Sequence, residues 1–116
     1  MKRSLGIIIL MAMFVFSGAV FAGEQEDLAL IKAAGDGDSV QVKALLDKGA
    51  SVKAKSGDGI TALMWAAGKG HKDIAELLIT KGAAVNAKTN KGGTALMSAA
   101  AAGLKEIVGL LISKGA

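Results

Sequence analysis

The chain carries one histidine, His71, and no cysteine. A single imidazole without a second soft or nitrogen ligand makes a poor metal site. His71 is therefore expected to hydrogen-bond a loop between helices. Asp36-Gly37-Asp38 has the look of a calcium loop, but it lacks the later glutamate and further oxygen ligands, so it is assigned to a turn. The paired glycines Gly57/Gly59 and Gly92/Gly93 belong to no phosphate cradle of the G-x-x-x-x-G-K-[ST] form. Ser98 has no base within its own stretch and is read as a smaller group in the place that Trp65 holds earlier. Catalysis needs convergent groups of tuned acidity, and none converge here. The sequence implies no catalytic residue, no metal and no cofactor. The remaining candidates are lysines, Lys53, Lys55, Lys88 and Lys91, clustered near two loops. They either solvate those loops or steer an acidic partner.

What would position these residues is a series of short helices. Gly57-Asp58-Gly59 is turn chemistry, and Thr61 can cap a helix over about 62–67 that Gly68-Lys69-Gly70 ends. A second helix is predicted over about 72–81. Its Ile74, Ala75, Leu77 and Leu78 lie on one side, with Asp73, Glu76 and Lys81 outside. Gly82 stands where a left-handed cap closes it. Before this unit, Leu28, Leu30, Ile31, Ala33 and Ala34 form one apolar helix face. Val40, Val42, Leu45 and Leu46 form the next.

The unit repeats at one fixed step: Gly49, Gly82 and Gly115; Gly37, Gly70 and Gly103; Leu30, Leu63 and Leu96; Leu45, Leu78 and Leu111. A fixed period with two short helices per unit means a solenoid, in which each unit buries its apolar face against its neighbours. At these residues the chain resembles the ankyrin repeat family. Gly59-Ile60-Thr61-Ala62-Leu63-Met64-Trp65-Ala66-Ala67 is similar to G-x-T-P-L-H-x-A-A, Gly70-His71 through Leu78-Ile79 to G-H-x-x-[VI]-x-x-L-L, and Lys81 to Ala87 to x-G-A-D-V-N-A.

The resemblance implies an all-α solenoid of about three helix-turn-helix repeats, near 24–56, 57–89 and 90–116, with short β-hairpin loops over 51–59 and 85–93. The family's proline is Ala62 and Ala95 here, and its histidine is Met64 and Met97. In the family that histidine ties neighbouring loops together, so methionine is expected to replace a polar clasp with packing. Binding in the family uses the hairpin tips and the exposed ends of the first helices, along a concave face. Carried over residue by residue, this implies Lys55, Gly57, Asp58, Ile60, Gly68 and Lys69 in the second unit, and Lys88, Asn90, Lys91, Gly93, Ala101 and Ala102 in the third. Trp65 is expected to pack in the core between units, the alternative being a partly exposed binding anchor.

Residues 1–22 are of another kind. Lys2-Arg3, an apolar run from Leu5 to Phe16 and small residues before Ala22 form a secretory signal peptide, with cleavage expected after Ala22. The run is short of the about 20 residues that a spanning helix needs, and its extension to Phe21 makes an uncleaved anchor the alternative. Without a cysteine, a lipid-anchored mature end is excluded. Removing Lys2 and Arg3 lowers the formal charge from +4 to +2 and leaves only lysines as bases. Phe14, Phe16 and Phe21 go with the leader, leaving Trp65 as the sole aromatic. A nucleic-acid partner would want arginines and stacking aromatics, and is not expected. Export without disulfides points to a bacterial periplasm or secretion.

The expected function is therefore a non-catalytic protein-protein interaction module in the periplasm. Two alternatives stand beside it: a dedicated inhibitor or immunity-type protein for one exported enzyme, and a membrane-anchored scaffold. The third unit lacks a polar cover, so continuation of the chain, fraying of the last helix or end-to-end association with a partner is expected there.

Overall fold

The computed structural model describes residues 25–116; the leader assigned to 1–22 lies outside them. The regular elements of the described residues are helices: α1 over 25–36, α2 Ser39–Asp47, α3 Ala62–Lys69, α4 Lys72–Thr80, α5 Ala95–Ala101 and α6 Lys105–Ser113. They make three helix pairs, as the period predicts. α3 packs against both α4 and α5, and α4 lies between α2 and α6.

Local chemistry starts and stops each helix. Thr61 and Thr94, at the same place in successive units, take extended backbone, and their hydroxyls accept from Met64 N and Met97 N at 3.3 and 3.2 Å. Each satisfies a first-turn amide that the helix cannot. Asp38 does the same for α2 through Gln41 N at 3.1 Å. α3 runs to Lys69 rather than stopping near Ala67, because Gly68 stays helical and only Gly70, at φ 85°, adopts the left-handed conformation that ends it.

The core repeats with the sequence. Leu30 and Leu63 are fully buried, as are Leu78 and Leu111, with Leu45 beside them. Ala33, Ala66 and Ala99 are buried along the first helices. Their small side chains let successive helices pack closely, since interaxial distance follows the contacting residues. Val40 departs from expectation: it is 77% exposed. Two residues from the buried Val42, it lies about 200° around α2, on the opposite side. Leu28 stands in the same relation to Leu30 and is half-exposed.

The expected hairpins are not strands. Among the described residues a single β-bridge, Lys55 to Thr61, stands in their place. The backbone bonds go into turns instead. Ser56 N donates to Ile60 O at 2.9 Å and Thr89 N to Gly93 O at 2.8 Å, while the hydroxyls of Ser56 and Thr89 accept from Ile60 N and Gly93 N. Such side-chain turns compete with a ladder for the same donors.

The methionines also differ from expectation. The Met64 thioether accepts from Thr61 N at 3.4 Å and is buried, so it packs and clasps at once. Met97 is 59% exposed and does neither.

Candidate functional site

The repeat period places Lys32, Trp65 and Ser98 at one register on α1, α3 and α5. Gly35, Gly68 and Ala101 share the next, and Asp36, Lys69 and Ala102 the one after. On this face the protein is open. A groove of ≈ 350 Å³ between α3 and α5 is lined by Ile60, Met64, Trp65, Gly68, Lys69, Thr89 and Ser98. A second, of ≈ 330 Å³, lies between α1 and α3 and is lined by Ile31, Lys32, Gly35, Asp36, Trp65 and Lys69. Trp65 and Lys69 border both.

Trp65 is not in the core; it is 37% exposed. The buried positions of α3 are Ala62, Leu63, Met64, Ala66 and Ala67, which leaves position 65 on the open side. The indole leans on the bare backbone of Gly35, where a Cβ would stand 3.6 Å from Cδ2 and Cε3. The Lys69 ammonium sits 5.5 Å from the ring centroid, within cation–π range. The indole is thus held between Gly35 and the Lys69 ammonium over its ring while part of its surface faces solvent. Collisional quenchers are expected to reach it, with emission to the red of a core tryptophan. Trp65→Ala is expected to reduce stability by about 1 kcal/mol, well short of the roughly 3–5 kcal/mol of a buried tryptophan. Acrylamide quenching and urea denaturation measure the two.

The loop tips form a neighbouring patch. Asp58, Ile60, Thr89, Asn90 and Lys91 line a groove of ≈ 270 Å³. Asn90 binds the preceding tip twice, N to Asp58 O at 3.1 Å and Nδ2 to Gly57 O at 3.0 Å. Lys55 Nζ donates to Lys88 O at 3.1 Å. These contacts join one unit's loop to the next.

The twelve residues carried over from the resemblance therefore separate. Ile60, Gly68 and Lys69 meet at the Trp65 groove, and Ile60 also joins Asp58, Asn90 and Lys91 at the loop groove. Lys55, Gly57 and Lys88 hold the two tips together. Gly93 closes its own loop on Thr89, and Ala101 and Ala102 are exposed at the end of α5, lining neither groove. Met64, Thr89, Ser98, Lys32, Gly35 and Asp36 line grooves without having been singled out for binding. The row through Trp65 at the repeat period is the signal by which Lys32 and Ser98 could have been found.

His71 sits apart from these grooves' linings. Its Nε2 lies 3.1 Å from Gly35 O, so the ring bonds the last turn of α1 in the preceding unit, and not the loop between helices that was expected, and ties α4's start to it. Gly37 leaves room for the ring: a Cβ there would fall 2.6 Å from Cε1. His71→Ala is expected to cost about 0.5–1.5 kcal/mol, the net worth of one hydrogen bond, as read by a lower urea midpoint. Between the second and third units the ion pair Lys72 to Glu106, 3.7 Å long and exposed, adds little. Among the described residues no three His, Asp or Glu side chains come together as a metal-holding group.

No curated protein matches the chain. A family model described as ankyrin repeats (3 copies) matches residues 29–116, which takes in most of α1 and all of α2 to α6. The chain belongs to the ankyrin repeat family, whose repeats are generally protein-protein interaction modules.

Proposed function

We propose that the chain is a non-catalytic protein-binding module that works in the periplasm, delivered there by the leader ending at Ala22, and that the face of α1, α3 and α5 grips the partner. The observation that carries this reading is the half-exposed Trp65 between two grooves. A large indole held in place yet open to solvent matches the anchor residues that dominate interface energetics. It is also preorganised by Gly35 and Lys69, so little side-chain freedom is lost on binding. The absence of arginine beyond Arg3 and of any aromatic but Trp65 after the leader supports a protein partner over a nucleic acid. Two grooves of a few hundred Å³ suit a modest interface of the transient kind.

The test is affinity capture from a periplasmic extract with the chain and its Trp65→Ala variant side by side. The reading expects a saturable protein partner that the variant loses. Capture by both alike, or by neither, contradicts it. N-terminal sequencing of the exported protein is expected to begin at Gly23, and an intact Met1 would favour the anchored scaffold.

A further inference from the structure

Neither groove beside Trp65 follows from the repeat alone. Each is lined by a glycine that stands inside a helix where an alanine would serve the helix better. Gly35 of α1 and Gly68 of α3 occupy equivalent registers in successive units. A Cβ at Gly35 would touch the indole at 3.6 Å, and one at Gly68 would stand 3.3 Å from Ser98 Cβ. The missing side chains let the neighbouring groups close up there, and each groove runs beside the indole with one of these glycines in its wall. In the third unit Ala101 fills the same register.

The charges bordering the two channels are unequal. Lys69 is the only charged residue lining the channel towards α5, and Lys32, Lys69 and Asp36 line the one towards α1. The loop groove alongside is balanced by Asp58 and Lys91. A desolvating ligand is therefore favoured if it brings a negative group to Lys69. Neighbouring helices lie about 8–10 Å apart, so the two channels flanking α3 are separated by roughly that distance. A polyproline II chain advances about 3.1 Å per residue and, with three residues per turn, brings every third side chain to the same face. Three residues span the indole.

We propose that the two channels seat an extended acidic segment of a partner protein, with two apolar side chains three positions apart on either side of Trp65 and a carboxylate between them at the Lys69 ammonium. This rests on the protein-binding reading above and specifies what that face takes. Lys69 then leaves or shares its place over the indole and pairs with the carboxylate, in a site partly shielded from water, where such a pair is stronger than at an open surface.

The probe is a blocked, dye-labelled peptide with the core Leu-Glu-Ser-Leu between Gly-Ser flanks, titrated against the full chain at low salt by fluorescence anisotropy. Its comparison peptide carries Lys in place of Glu. The acidic peptide is expected to bind at least tenfold tighter than the basic one, and Lys69→Glu to reverse that order. Gly35→Leu fills the channel towards α1 from a position where a Cβ makes only ordinary contact. It is expected to weaken binding at least fivefold while circular dichroism shows the helices still folded. Equal affinity for the two peptides, no binding of either, or full affinity in Gly35→Leu overturns the proposal. Should the peptides fail while Trp65→Ala still abolishes capture of a protein partner, the acidic-segment inference falls and the protein-binding reading stands.

Discussion

Leu78→Ala is expected to cost about 3–5 kcal/mol, within the range measured for large-to-small changes at sites that cannot collapse. Leu78 is fully buried on α4, the helix between α2 and α6, and Leu45 and Leu111 hold the equivalent places on those neighbours. The loss therefore falls on two interfaces at once. In a solenoid the middle unit is what couples the ends, so weakening it also lowers cooperativity. Against a total of about 5–15 kcal/mol for a small domain, a change of this size leaves a large unfolded fraction at physiological temperature. Ile112→Ala is the control, because Ile112 is 57% exposed on α6; it is expected to change stability by about 0.5 kcal/mol or less. Urea denaturation followed by circular dichroism separates them. A Leu78→Ala midpoint equal to that of Ile112→Ala would show that the helix pairs do not stack through this row.

Gly59→Ala is expected to cost about 2–4 kcal/mol, and Gly92→Ala, at the equivalent place one unit later, only about 1 kcal/mol. Both glycines have positive φ, 81° and 82°, so both variants carry the same left-handed strain. Their surroundings differ. A Cβ on Gly59 would fall 2.8 Å from Asn90 Oδ1 and 2.9 Å from Asn90 N, whereas one on Gly92 meets nothing within 4 Å. The backbone amide cannot swing aside as a side-chain tip can. Gly59→Ala therefore forces apart the two loops and strains both bonds from Asn90, to Asp58 O and Gly57 O. The difference between the variants isolates the loop-to-loop contact, independent of glycine's backbone freedom. Equal destabilisation would mean that the tips do not hold each other.

Most of the scaffold was legible because its signals are local and recur. Thr61 announces a helix start, Gly70 and Gly82 announce stops, and the leucine rows at the repeat period name the core. His71 was legible for the same reason, as an imidazole at a turn with no second ligand near, but its bond to α1 was not. The loops were read less well. Nothing in SVKAKSGDG states that the Ser56 hydroxyl and carbonyl will take the Ile60 and Gly59 amides that a hairpin ladder needs.

Trp65 shows the limit more sharply. Its size argues for the core, and its helix is otherwise apolar almost all round, so hydrophobicity could not tell its buried side from its open one. Only the position of the adjacent helices does so. The grooves were invisible for a related reason: a glycine within a helix reads as a weak point, and lines a groove only when the helix beside it supplies the other wall. Val40 carries the same lesson in reverse, an apolar residue whose place on the helix puts it outside.

The binding account turns on the face that carries the chain's single tryptophan, and Trp65 emission during titration with a captured protein partner reads that face directly. Binding there covers the open surface of the indole, so a blue shift and loss of acrylamide quenching that saturate with the partner are the predicted result. Emission and quenching unchanged at saturating partner would place the interface elsewhere and contradict the account.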